Sequence, residues 1–373
     1  MSTSAFGLPK FLKPLKDPRI DRCKRHILKD IITMAICAVL GGAESWTDIA
    51  TFARHRQGWF QRFLTLPNGI PSHHTFRRVF NRLEPRAFQT SLIAWLHSLS
   101  DTLSIGHIAI DGKTLRHSGG GASSFRPLHL VSAWATEARL ILGQVATEEK
   151  SNEITAIPEL LEMLDLKGAL VTIDAMGCQK AIAKKIVDKG GDYLLAVKDN
   201  QEKLKDDILD CFVRAYDADC KNVTYQKYTV QEKANGREET RVYEVISDPQ
   251  GIRNKAAWPK LEVIVKCYSE RKLQGKTTSE ERYYIGSRRC RAKRFGSVLR
   301  NHWGIENNLH WQLDVTFGED ASRIQDRNGG QNFDLLRKLA LNLLQHHPSE
   351  GSIHTRRYEA TLDISFMEEI LNK

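Results

Sequence analysis

Long apolar runs are missing from this 373-residue chain. The longest, Ile31–Leu40, is about half the length a bilayer-spanning helix needs, so it reads as one buried helix. Cysteine is sparse and scattered: seven thiols stand at positions 23, 37, 178, 211, 220, 267 and 290, with no C-x-x-C pair. An odd, unpaired set excludes a disulfide framework and a structural zinc site, and fits free thiols in a reducing cytoplasm. The opening MSTSAFGLPKFLKPLK is basic but has no apolar stretch before a small-residue cleavage site, so no secretory signal is expected. There is no internal repeat, and the only low-complexity tract is SGGGASS at 118–124. Acid is in deficit: 55 Lys and Arg face 45 Asp and Glu, a net charge of +10. Residues 1–100 hold fifteen of those cations against six acids. A basic region on a near-neutral remainder suits a polyanionic partner, because each neutralised phosphate releases counterions. A solvated basic surface would give the same totals, so charge alone does not decide.

What is present falls into four regions, 1–100, 101–220, 221–290 and 291–373. The first reads as helices. HILKDIITMAICAVLGG (26–42) is followed by SWTDIATFARHRQGWFQRFL (45–64), with Ser45 or Thr47 as cap. SHHTFRRVFNRL then has Ser72 as a natural N-cap and Phe76, Val79, Phe80 and Leu83 as its apolar stripe. Arg77 and Arg78 project from the other side, as in a helix-turn-helix-like DNA contact. From about 105 the texture changes to short β-rich runs, HIAIDGKTLR, LHLVSAWAT and RLILGQVAT. A helix (ITAIPELLEMLDL, capped by Ser151 or Asn152), a strand (ALVTID), a helix and a strand (DYLLAVK) follow. Three meandering strands and then αβαβ is the order of an RNase H-like core, a mixed five-stranded sheet with helices. Residues 221–287 interrupt it with four β segments, read as a mostly β insertion, before helices return.

Two of these strands end in aspartate: HIAI runs into Asp111 and GALVTI into Asp174. In an RNase H-like sheet the first and fourth strands are adjacent and parallel, so both carboxylates would meet at one edge. A third acid from a later helix, Glu306, would complete an oxygen cage for divalent cations such as Mg²⁺. Two such ions roughly 3.5–4 Å apart clamp the attacking and leaving oxygens of an in-line phosphoryl displacement. Each acid also has a plain reading: Asp111-Gly112 as a tight turn, Asp174 as a helix cap, Glu306 as an exposed helical acid.

The blocks AIDGKTLRHS (109–118), KSNEITAIPELL (150–161), VTIDAMGCQ (171–179), DYLLAVKDNQ (192–201), NGREETR (235–241) and NHWGIENNLHWQLDVTFGEDASR (301–323) resemble bacterial insertion-sequence transposases of the ISAs type, or H-repeat-associated proteins. The likeness runs almost end to end. It implies a DDE transposase with an RNase H-like core, a β insertion between the second Asp and the Glu, and catalysis by Mg²⁺ or Mn²⁺, two ions per site. Its partners would be double-stranded DNA, both the element's terminal inverted repeats and the target, with a homodimer at synapsis.

Carried over by motif, the triad is Asp111, Asp174 and Glu306, with gaps of 63 and 132 positions. Where the wider superfamily carries Tyr, Arg and Lys around the Glu, this chain has Leu299, His302 and Leu313, and His74 replaces an acid near the helix start. Arg300 and Arg323 lie nearby as substitute phosphate contacts. Lys113 and Arg116 beside the first Asp, and Lys198 and Asn200 after the following strand, are further candidates. His302 and His310 are expected to meet phosphate or neighbouring acids, with Trp303 and Trp311 packing the helix onto the sheet. Asp314 stays outside the triad, and Glu319 and Asp320 are the fallback acids. Two rivals remain: an RNase H-like nuclease that cuts without joining, and a silent repeat-associated protein that only binds DNA.

Overall fold

The computed structural model describes residues 8–98, 105–119, 127–147, 153–234 and 236–372. The N-terminal part is helical: α1 (Leu28–Leu40), α2 (Trp46–His55), α3 (His73–Arg82) and α4 (Pro85–Ser98). α1 is apolar on every side and buried along almost its whole length, as such a helix must be. Gly42, at φ +95°, turns the chain after it. Ser45 then caps α2, its hydroxyl accepting from the Asp48 N–H at 3.2 Å. Ser72 holds the N-cap position of α3 but makes no side-chain cap bond; its hydroxyl lies 3.3 Å from that of Thr75.

Among the described residues nine strands form one sheet. They are β1 (His107–Thr114), β2 (His129–Ala135), β3 (Leu140–Ala146), β4 (Leu170–Ile173), β5 (Asp192–Val197), β6 (Thr224–Ala234), β7 (Arg237–Ser247), β8 (Val263–Leu273) and β9 (Lys276–Gly286). Their order is β3-β2-β1-β4-β5-β9-β8-β7-β6. The five expected strands come first: β1, β2 and β3 are antiparallel neighbours, and β1, β4 and β5 run parallel. The four insertion strands do not build a separate sheet. β9 pairs antiparallel with β5, Leu194 opposite Gly286, and carries the insertion onward as a continuation of the core.

Alternation along β1 assigns the faces. Ile108 and Ile110 join the core beneath α5 (Glu153–Met163), α6 (Lys180–Asp188) and α7 (Glu202–Asp217), while Ala109 faces the N-terminal helices. α8 (Ala292–His302) covers the junction of core and insertion, with Phe295, Val298 and Leu299 against Leu170, Leu194 and Val245. A π-helical turn (Ile305–His310), α9 (Trp311–Val315), α10 (Arg327–His346), α11 (Ile353–Leu362) and α12 (Ile364–Leu371) complete the chain. The expected caps Ser151 and Asn152, and most of the Gly/Ser loop, lie outside the described residues.

α10 ties the layers together with buried polar side chains. Asn332 donates to the carbonyls of Phe80 and Leu83 at 2.7 and 2.9 Å, closing the C-terminal end of α3. Lys338 donates to Ser132 Oγ at 2.8 Å and Gln144 Oε1 at 2.6 Å on the sheet. The N-terminal helices and α10 therefore share one apolar core. No helix of the described residues is long and apolar enough to cross a membrane.

Candidate active site

The register brings the two aspartates to one edge. Ile110 of β1 lies beside Ile173 of β4 in parallel pairing, so Asp111 and Asp174 are the next residues on neighbouring chains. The turn reading of Asp111-Gly112 falls, because both residues stay in β1 and pair with Ser132 and Val131. The cap reading of Asp174 holds alongside its edge position: Oδ1 accepts from the Met176 N–H at 3.1 Å and caps a short 3₁₀ turn.

Asp111 is mostly buried, and burial pushes its carboxyl up to about 7; Asp174, Glu153 and Glu306 add repulsion against one backbone N–H from Gly112. Asp174 is also raised, first by burial and then by Glu153, while the Met176 and Gly177 N–H groups and Lys198 oppose the shift. His310 Nδ1 stands 3.7 Å from Asp111 Oδ2. Burial, Lys338 and Lys113 hold that imidazole down to about 3, so at neutral pH it brings no charge to the acids. Its Nε2 is buried without a hydrogen-bond partner.

Glu306 sits in the π turn, on the wall of a cleft of about 680 Å³ whose other side is the insertion, with Arg237, Arg241, Arg271 and Arg282; Arg300 of α8 also lines it. The π turn also corrects the expected packing. Ile305, Leu309 and Leu313 form the buried face, four residues apart, whereas Trp303 and Trp311 are 40% and 52% exposed. Neither ring enters the core: Trp303 meets the sheet only through Arg282 of β9, whose guanidinium stacks over it at 4.2 Å from the ring centre.

The remaining candidates divide. Arg77, Arg78 and Arg323 line one groove of about 850 Å³ between α3 and the segment before α10. Lys198 is exposed beside Asp174. Lys113 is not turned outward: its ammonium donates to the carboxylates of Asp314 and Glu319. Arg116 lies 3.3 Å from Asp320 and Arg300 2.9 Å from Glu232. Asn200 donates to the Ala175 carbonyl at 2.7 Å, bracing the turn after Asp174. His302, half-buried and held down to about 4 by desolvation, meets the Thr172 hydroxyl at 2.8 Å rather than an acid. The fallback acids Glu319 and Asp320, and Asp314 beside them, are thus engaged by Lys113 and Arg116.

Glu153, on the first turn of α5, is the residue the sequence reading missed as an acid of this site. KSNEITAIPELL was read as a helix start and as a family block, without a role for its acid; the available signal was an acid opening the first helix after a three-strand meander. Among the described residues no three His, Cys, Asp or Glu side chains lie close enough together to hold a metal ion. The donor chemistry nevertheless fits a hard divalent cation: a buried Asp111 crowded by other carboxylates, with a neutral imidazole as its neighbour.

Comparison with known proteins identifies the family. Residues 103–343 match the family model "Transposase DDE domain", and residues 10–96 match the model of its associated N-terminal region. The chain belongs to the DDE transposase family, enzymes that cleave DNA and transfer its strands in dependence on divalent metal. Among its relatives, "Putative transposase YncI" of Escherichia coli O157:H7 is 40% identical over 98% of this chain and 94% of that one. "H repeat-associated putative transposase YhhI" of Escherichia coli K12 is 38% identical over 93% and 92%. A solved structure, a piggyBac transposase synaptic complex with hairpin DNA, shares 10% identity with a TM-score of 0.43, over 99% of this chain and 79% of that one.

Proposed function

We propose that this chain is the transposase of a bacterial insertion sequence, built on an RNase H-like core, with Asp111, Asp174 and Glu306 as the metal-holding acids. The observation that carries the reading is the pairing of Ile110 with Ile173, which sets two carboxylates side by side at the ends of parallel strands. Mg²⁺ or Mn²⁺ ions, two per site, would there lower the pKa of water and offset charge on the phosphate oxygens. Water attacks the phosphodiester at an element end, the P–O3′ bond breaks, and the freed 3′-hydroxyl attacks a target phosphodiester in the same in-line manner. The chain's own residues position the DNA for this. The groove of Arg77, Arg78 and Arg323 suits the duplex of the terminal inverted repeat. Lys198 and Arg300 flank the acids on two sides as further phosphate contacts. Two copies acting at synapsis make the working form a homodimer, and the site of action is the nucleoid in the cytoplasm.

The test is a strand-transfer assay with the full-length chain, element-end duplexes and Mg²⁺. Asp111→Asn, Asp174→Asn and Glu306→Gln should each abolish both cleavage and joining while leaving end binding intact. Joined product from Asp111→Asn would refute the assignment. Cleavage without joining by the wild type would favour a nuclease, and binding without cleavage a silent DNA-binding protein.

A further inference from the structure

We propose that Glu153 is a fourth carboxylate donor of this metal site, oriented by a Thr114–His129 pair; the inference rests on the divalent-metal reading above. The last residue of β1, Thr114, stands opposite the first of β2, His129, in the antiparallel register. Thr114 Oγ1 is 2.8 Å from His129 Nδ1, and His129 Nε2 is 2.7 Å from Glu153 Oε1. A neutral imidazole protonated on Nε2 satisfies both contacts: the hydroxyl donates to Nδ1, and Nε2–H donates to the carboxylate. The ring is thereby fixed from one strand, and it fixes the acid of another element. A carboxylate held in this way is preorganised as a ligand.

Gly112 supplies the independent observation. Like Thr114 it points to the α5 face of the sheet, while Asp111 points to the other. A Cβ at Gly112 would collide with Glu153 Oε1 and come 2.5 Å from His129 Nε2. Only because residue 112 has no side chain does the Glu153 carboxylate lie directly against the β1 backbone next to Asp111. Glu153 is also near enough to both aspartates for its charge to repel theirs. Approach from the α5 side puts its oxygens across the strand edge from Glu306, so the two glutamates flank the aspartate pair from opposite faces.

A plainer role for Glu153, a favourable charge at a helix start and a partner for His129, predicts something different. Glu153→Gln keeps an oxygen that accepts from His129 and removes only the charge, so a structural role survives it. The experiment is titration of the full-length protein with Mn²⁺ alone, followed by calorimetry and by the electron paramagnetic resonance of free Mn²⁺. Wild type should bind and Asp111→Asn should lose binding. Glu153→Gln should bind at least about tenfold more weakly, with an unchanged circular dichroism spectrum, and His129→Ala should weaken binding by about 10- to 100-fold. Wild-type affinity in Glu153→Gln, with binding lost in Asp111→Asn, overturns the role of Glu153 and leaves the metal site standing. Wild-type affinity in Asp111→Asn overturns the metal site itself and this inference with it. Should Glu153→Gln not fold, Glu153→Asp withdraws the carboxylate by one methylene; it too must weaken Mn²⁺ binding, and wild-type affinity there refutes the proposal.

Discussion

Replacing Lys113 with methionine separates two roles for a cation two residues from Asp111. As a phosphate contact, Lys113 would matter for DNA binding and hardly at all for folding. Its ammonium instead meets two carboxylates, Asp314, 28% exposed, and Glu319, 1% exposed. The two halves behave differently with pH. Near pH 7 the loss is mainly the Asp314 contact, worth about 1–2 kcal/mol once its partial exposure is allowed for. Burial and the neighbouring Asp334 push the Glu319 carboxyl up to about 8, so near pH 7 it is largely protonated and needs no counter-charge. A carboxyl raised above its unfolded value binds its proton more tightly in the folded state, so its contribution to stability falls as pH rises. Without Lys113 the folded pKa of Glu319 moves higher still. Above pH 8 the native variant then keeps a proton that native wild type has released, and the variant loses ground by about 1.4 kcal/mol per pH unit. Urea unfolding at pH 7, 8, 9 and 9.5, without DNA or metal, measures this directly. A gap near zero at pH 7 that does not widen up to 9.5 would refute the buried clamp and restore the phosphate reading.

Three further outcomes follow from the same geometry. Asn332→Leu removes the donor that satisfies two carbonyls at the end of α3, and should cost about 1–3 kcal/mol in urea unfolding; an unchanged midpoint would contradict it. Trp311→Ala should shift stability by no more than about 0.5 kcal/mol, because the ring is half exposed; a loss of several kcal/mol would show it packed after all. Arg77→Ala, Arg78→Ala and Arg323→Ala should each weaken binding to any duplex alike and lower the slope of log K against log salt by about 1. Sequence-selective loss in a filter-binding assay would instead make that groove a reader of bases.

What could be read from the chain in advance follows the range of the interactions that decide each feature. HIAID and ALVTID were legible because a buried strand ending in an acid is a local pattern, and the βββαβαβ order limits which strands can be neighbours. Four insertion strands were legible for the same reason. That they extend the core sheet was not, since the pairing of Leu194 with Gly286 joins residues 92 positions apart. Lys113 shows the same limit on a single side chain. A cation beside a candidate metal-holding acid suggests phosphate, but its direction is decided by Asp314 and Glu319, some two hundred residues on.

The segment around Glu306 failed in a more instructive way. Trp303 and Trp311 were expected to pack this helix onto the sheet. Ile305, Leu309 and Leu313 have a four-residue periodicity and less polarity, and the sheet took them instead. The aliphatic set has no polar atom to satisfy on burial, and it takes the inner face. Once Ile305 and Leu309 are inside, the backbone widens into a π turn and Glu306 is carried onto the cleft wall rather than into the acids' immediate company. The same packing that denies the tryptophans a core position thus sets how far Glu306 stands from Asp111 and Asp174. Glu153, by contrast, already lies against the β1 backbone at Gly112, beside Asp111.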